Sequence, residues 1–297
     1  MIQTVRDLYQ VSGPSGNPVI SVEFFPPKTE EGEKTLIEKT APAFKAAGAR
    51  FASVTYGAGG STREKTLSLV DRLQRLHDFT TVAHLTCVNH TAEEIRAIIE
   101  QARALGIRNL LALRGDPPGG GAFLKTPGGF EYASELVAFI RRQGDFSIGV
   151  AGFPEGHVAC TEGREADWRH LKGKVDAGAD FVLTQLFFDN ADFLRFRDFV
   201  TRLGVSVPVV PGILPVLNGP QIKRFASLCG AKLPPPMVET LDGLAGDEEG
   251  SLEFGIDFAA RQCAELLREG VPGIHFYTLN KARSVVSVLR QLGLTPA

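Results

Sequence analysis

Eight short apolar runs, each followed by a segment of helical period, constrain the fold of this chain more than any other feature. The runs are Val19–Phe24, Phe51–Tyr56, Thr81–Thr86, Asn109–Leu113, Phe146–Ala151, Phe181–Phe187, Val207–Pro211 and Gly273–Tyr277. They are rich in Val, Ile, Leu and Phe and do not strictly alternate with polar residues, the pattern of parallel strands covered on their outer face. Between them, Ile95, Ile98, Ile99, Ala102 and Leu105 fall on one helical face, as do Ala282, Val285, Val286, Leu289 and Leu292. Thr91-Ala92-Glu93-Glu94 and Ser61-Thr62-Arg63-Glu64 fit the capping box, and Gly48, Gly106, Gly178 and Gly204 stand where helices should end. Eight βα units in 297 residues predict an α/β protein with a closed (β/α)8 TIM barrel, one domain over 1–297. An open doubly wound sheet shares the alternation, but no GxGxxG follows the first strand. Two long loops are expected, Pro117–Gly129 with five glycines and three prolines, and an irregular stretch over Leu233–Gly250.

The charge balance narrows the function classes. A formal net charge of −2 with 43% hydrophobic residues gives no electrostatic footprint for nucleic acid or a membrane surface. No apolar stretch is long enough to span a bilayer, and Met1-Ile2-Gln3-Thr4-Val5 lacks a signal-peptide core, so a cytoplasmic location is expected. The four cysteines, Cys87, Cys160, Cys229 and Cys263, are scattered without a CxxC and read as unpaired. Cys87, at a strand end, is the one expected near a ligand.

Within the first run, Val19-Ile20-Ser21-Val22-Glu23-Phe24-Phe25-Pro26-Pro27, a carboxylate sits in an otherwise apolar strand that two prolines then end. Buried without a partner, such a carboxyl has a raised pKa and becomes a proton donor near neutral pH; paired with a cation, it is structural. In a (β/α) barrel the site is built from the C-terminal strand ends. Those positions hold Glu23; Thr55 and Tyr56; His84 and Thr86; Arg114 and Asp116; Phe153, Glu155 and His157; Gln185 and Asp189; Gly212 and Pro215; and Thr278, Asn280 and Lys281. Their convergence on one end defines a site. Arg114-Gly115-Asp116 sets a cation and an anion about a glycine that permits positive φ, suited to a phosphate and a ring, or to a local ion pair. No HxH, HExxH or GxSxG supplies a metal site or an acyl-transfer nucleophile. With several aromatics near the strand ends, that directs attention to a flat aromatic cofactor.

Glu23-Phe24-Phe25-Pro26-Pro27-Lys28, Ser53-Val54-Thr55-Tyr56-Gly57-Ala58, Ala83-His84-Leu85-Thr86-Cys87, Leu111-Ala112-Leu113-Arg114-Gly115-Asp116, Lys174-Val175-Asp176-Ala177-Gly178-Ala179, Pro211-Gly212-Ile213-Leu214-Pro215-Val216 and His275-Phe276-Tyr277-Thr278-Leu279-Asn280 resemble, in order, the signature segments of the 5,10-methylenetetrahydrofolate reductase family. The resemblance implies an FAD-bearing barrel in which NADH or NADPH reduces the flavin and leaves. Methylenetetrahydrofolate then takes its place and is reduced to 5-methyltetrahydrofolate. It implies a general-acid role for Glu23. Asp116 would bind the pterin and tune the flavin by its charge. Thr55, Tyr56, His84, Arg114, Gly115, Asp116, Tyr132, Ala151, Phe153, His157, Asp167 and Lys174 match cofactor contacts, and Gln185, Gln221, Phe225 and Lys281 match substrate contacts, together with Glu23 and Asp116. A homo-oligomer is expected.

Three positions depart from the family pattern. Lys281 stands where arginine is usual and lacks its bidentate fork; Phe153 stands where some members carry tyrosine; and the segment between His157 and Asp167 is one residue longer than in the best-known bacterial form. Control by S-adenosylmethionine through a C-terminal regulatory domain is not expected. The alternatives are another FAD-dependent barrel oxidoreductase, such as a proline dehydrogenase, and a folate- or flavin-binding protein without turnover.

Overall fold

A computed structural model describes residues 3–11, 16–57, 63–117, 121 and 123–296. The strands are β1 (Val19–Phe24), β2 (Phe51–Val54), β3 (Thr80–Thr86), β4 (Asn109–Leu113), β5 (Ser147–Gly152), β6 (Phe181–Leu186), β7 (Val209–Ile213) and β8 (Gly273–Tyr277). They pair in parallel and in sequence order, and β1 pairs with both β2 and β8, which closes the barrel. All eight expected strands are present, with ends shifted by up to two residues; β2 stops at Val54 because Thr55 and Tyr56 already belong to the loop.

Two apolar layers hold the fold together. Outward-facing residues such as Val22, Phe24, Ala52, Val150 and Phe276 pack against the helices in one continuous core that contains Ile95, Ile98, Ile99, Val285 and Leu289. The inward-facing Val19, Phe51, Val82, Leu111, Phe181, Leu183 and Val210 pack together inside the barrel. The helix Val5–Val11 plugs the end at which the strands begin, adding Val5, Leu8 and Tyr9 to the interior cluster. Its first amides have no intrahelical acceptor; the Val5 N–H donates to buried Asn109 Oδ1 (2.8 Å) and the Arg6 N–H to Ser147 Oγ (3.1 Å). With that end sealed, the opposite mouth is the place for ligands.

The Thr91 capping box forms: Glu94 N–H donates to Thr91 Oγ1 (3.2 Å), and Thr91 N–H to Glu94 Oε2 (2.7 Å). The other expected box falls on Ser61 and Thr62, outside the described residues; its helix runs Arg63–His77. The four glycines expected at helix ends all take positive φ. The loop expected at Pro117–Gly129 is irregular in its described part.

The expectation of an irregular stretch over Leu233–Gly250 is corrected. Pro235–Gly243 is helical, and the long helix Glu248–Arg268 begins before the stretch ends. The run Pro234-Pro235-Pro236 reads as a breaker, yet proline is at home in the first turn, where its missing N–H has no acceptor to lose. Met237 and Leu241, four residues apart, bury that helix against Ile222, Leu214 and Val216.

Candidate functional site

Glu23 lies at the base of the mouth, 6% exposed, on the strand nearest to both β2 and β8. Ser53 Oγ on β2 donates to Glu23 Oε2 at 3.1 Å. His84 Nε2 on β3 and His275 Nε2 on β8 lie 3.2 and 3.5 Å from the same oxygen. Neither imidazole nitrogen has a hydrogen bond of good geometry among the described residues, so these are contacts of charge and proximity. The far nitrogen of His275 lies 2.9 Å from Ser21 Oγ, and its ring stacks on Phe51. Burial alone pushes the Glu23 carboxyl up, but His84 and His275 outweigh it and hold it well below the usual carboxylate range. The expected unpaired, raised carboxyl is thus corrected to a partnered one. Sequence reading placed His84 at the mouth but passed over His275 and Ser53. All three have the inward parity of Glu23 in the strand register, the one signal that brings them together.

The chain leaving β1 is braced by the end of β8. Thr278 Oγ1 donates to the Glu23 carbonyl (2.6 Å), and the Asn280 side chain accepts from the Phe25 N–H (2.9 Å) and donates to the Phe25 carbonyl (2.8 Å). Asn280 reaches this pose with φ of 58°, a conformation that asparagine tolerates better than most residues.

A second group collects above β4 and β5. Lys174 Nζ donates to the Ala151 carbonyl at 2.6 Å and lies 5.7 Å from the Phe153 ring centroid. Burial pushes the Lys174 ammonium down to about 8, with Asp167 raising it and Arg114 lowering it further. The Asp167 carboxyl is pushed up by burial against the pull of Lys174 and His157. Burial, then Arg114, push the His157 imidazole down. Its Nδ1 accepts from the Ala159 N–H (3.0 Å), and its ring meets Phe153 edge-on at 4.6 Å. The indole N–H of Trp168 donates to the Phe153 carbonyl (2.9 Å) and ties this loop to the helix Arg164–Asp176, which carries Asp167 and Lys174. The Arg114 guanidinium lies 5.1 Å from the Phe123 ring centroid, and among the described residues it forms no ion pair with Asp116. Asp116 is exposed at the rim.

Gly115 takes φ of 81°, and a Cβ there would sit 2.7 Å from Val88 Cγ1 and 2.9 Å from Thr86 Cβ. Gly115→Ala is therefore expected to cost about 1–3 kcal/mol from the strained φ, checked by urea unfolding. Thr86, one of the strand-end residues expected at the mouth, is buried beneath Gly115, and its hydroxyl has no hydrogen-bond partner among the described residues. Thr55 N–H donates to the Phe24 carbonyl (2.9 Å), and Tyr56 is buried with its hydroxyl 3.4 Å from His90 Nε2. Tyr132, 56% exposed, opens the helix Ala133–Gln143 and lies within electrostatic range of Arg114.

The third group lies on the β6–β8 side. Gln185 is half-buried near the end of β6. Asn218 Oδ1 accepts from the Gln221 N–H (2.9 Å) and starts the helix Gly219–Cys229, on which Gln221 and Phe225 share a face. Phe225, like Tyr277 and Leu279, packs against the buried cluster that contains Leu186, Phe188 and Leu214. Lys281 is exposed at the start of the helix Ala282–Gln291, with no ion-pair partner among the described residues.

The chain is a (β/α)8 barrel, and a buried carboxylate flanked by imidazoles, a basic cluster on one side and two amides with an aromatic on the other make its C-terminal mouth the candidate ligand site. The family model described as methylenetetrahydrofolate reductase matches residues 8–293. Over 290 residues the chain is 41% identical to "Methylenetetrahydrofolate reductase (NADH) 1" of Arabidopsis thaliana, covering 94% of this chain and 49% of that protein. It is 40% identical over 278 residues to "5,10-methylenetetrahydrofolate reductase" of Escherichia coli strain K12, covering 93% of this chain and 91% of that one. The chain belongs to the methylenetetrahydrofolate reductase family. It spans about half the length of the plant relatives it matches. Among solved structures, a Clostridium thermocellum protein described as binding two copies of 5-methyl-5,6,7,8-tetrahydrofolic acid superposes with a TM-score of 0.66 at 16% identity, covering 93% of this chain and 95% of that one, a likeness of fold.

Proposed function

We propose that the chain reduces 5,10-methylenetetrahydrofolate to 5-methyltetrahydrofolate with NADH or NADPH as donor, the two substrates using one mouth in turn and FAD serving as the bound hydride carrier. The observation that carries this reading is the Glu23–Ser53–His84–His275 cluster at the base of a barrel mouth in a chain of this family. The nicotinamide donor named for the plant relatives favours NADH.

The residues fit a dinucleotide flavin. Arg114, His157 and Lys174 would face its pyrophosphate; Gly115 lets backbone approach, and the Thr86 hydroxyl beneath Gly115 has no partner among the described residues. When bound, FAD supplies two-electron transfer between substrates that never meet. Glu23, with Ser53 holding Oε2, would supply a proton to a folate ring nitrogen or bridge. His84 Nε2 and His275 Nε2 lie nearest to Oε2, so a proton delivered by Glu23 would be exchanged within this cluster. Asp116 has no ion pair among the described residues, which supports a role as acceptor for the N–H groups of a pterin.

The test is spectroscopic: a flavin absorbance in the purified protein, bleached by NADH and restored by methylenetetrahydrofolate. Bleaching without restoration would leave another flavin oxidoreductase, and no bleaching a binding protein. Asp116→Asn is expected to shift the flavin potential positive, because a nearby anion disfavours the electron-rich reduced ring, and to weaken folate binding. Dye equilibration reads the first effect; an unchanged potential would confine Asp116 to pterin binding.

A further inference from the structure

β6 and β7 fall out of register beside Gln185. Val182 pairs with Val209 and Leu183 with Val210, but the next pair is Leu186 with Gly212. Thr184 and Gln185 therefore oppose Pro211 alone, which is a β-bulge. The backbone groups released by the bulge are buried and need partners. Two hydrogen bonds supply them. The Gly212 N–H donates to Thr184 Oγ1 at 2.9 Å, and the Tyr277 hydroxyl donates to the Thr184 carbonyl at 2.7 Å.

Tyr277 belongs to β8, so its ring crosses over β7 to reach β6. Gly212 makes the crossing feasible: a Cβ there would fall on the Thr184 carbonyl oxygen and lie 2.7 Å from the Tyr277 ring. Phe181 and Leu183 face the barrel interior, and Gln185 is the next residue of that parity, at the mouth. Its Oε1 accepts from the Leu186 N–H at 2.9 Å, which turns its NH2 into the end that can donate to a ligand.

We infer that Tyr277 is a positioning residue, whose hydroxyl locks the Thr184–Gln185 bulge and so aims the Gln185 amide at the pteridine ring of the folate substrate. The inference rests on the folate-reductase reading above. It separates Tyr277 from residues that touch substrate directly, because its effect passes through the Thr184 carbonyl.

Tyr277→Phe keeps the ring over Gly212 and removes only the hydroxyl. Three measurements test the lock in the holoprotein, made on this variant, on Gln185→Ala and on the double variant. They are amide hydrogen exchange across 182–188, the Kd of 5-methyltetrahydrofolate, and the rate of flavin reduction by NADH. In Tyr277→Phe, exchange in that segment and the folate Kd should each rise roughly 2- to 12-fold, the range one neutral hydrogen bond carries, while reduction by NADH changes less than about 2-fold. In the Gln185→Ala background the same change should leave the folate Kd where it is, since coupled residues do not add. Additive losses would mean that Tyr277 touches the folate itself, and equal losses with NADH and folate would mean a general structural role; either overturns the inference. If the wild-type protein fails to bind 5-methyltetrahydrofolate, the folate reading falls, and hydrogen exchange still decides the lock: unchanged exchange across 182–188 removes it.

Discussion

Glu23→Gln is expected to slow reoxidation of the reduced flavin by methylenetetrahydrofolate by ~10²- to 10⁴-fold, the span of lost general acid–base catalysis, while reduction by NADH proceeds at nearly its wild-type rate. The substitution keeps volume and leaves an oxygen to accept from Ser53, so flavin binding has no reason to change. On the proposed reading, what disappears is the carboxyl that would pass a proton to the folate. Stopped-flow measurement of the two half-reactions separates the outcomes; equal slowing of both would remove Glu23 as the proton donor. The same variant has a stability signature. The folded Glu23 carboxyl lies below its ordinary 4.5, so its contribution is present above that pH and fades as pH falls toward the folded value. Glu23→Gln should therefore unfold at lower urea than wild type at pH 7, with the gap narrowing in acid.

That pairing shows where sequence reading stops. The eight strands were legible because a parallel barrel buries both faces of each strand and leaves runs of Val, Ile and Phe. The mouth was legible because polar residues such as His84, Arg114 and Gln185 end those runs. Which polar side chains meet was not legible. Glu23 and His84 are on strands separated by β2, and His275 arrives only because β8 closes onto β1. The bulge at Thr184–Gln185 was not legible either, because it exists only in the pairing of β6 with β7. The helix Pro235–Gly243 was missed for a different reason: its prolines read as punctuation, while the i, i+4 pair Met237 and Leu241 carried the helical signal. The plugging helix Val5–Val11 is only seven residues long and owes its order to Asn109 and Ser147 on strands over a hundred positions away.

Lys174→Met should weaken FAD binding roughly 10- to 150-fold, the equivalent of the ~1.5–3 kcal/mol carried by a hydrogen bond to a charged group, with little change in apoprotein stability. The two effects part because the ammonium is a burden to the fold and an asset to the ligand. Burial lowers its pKa from 10.5 to about 8, so between those values the unfolded chain binds a proton that the folded chain has released. Wild-type stability therefore gains as pH rises from about 8 toward 10.5, and below pH 8 the cost of the buried charge is complete. Methionine of similar length removes that cost and, with it, the bond to the Ala151 carbonyl, two changes of opposite sign. An anionic cofactor reverses the balance by favouring the charged lysine. Wild-type affinity for FAD should then decline as pH climbs through about 8, and binding at pH 9 should take up a proton. Titration calorimetry in two buffers of different ionisation enthalpy reads that proton directly. The uptake should vanish in Lys174→Met, and the fall in affinity across this window should flatten. Equal affinity and equal uptake in the two proteins would place Lys174 outside the cofactor cradle and leave Arg114 as its cationic side.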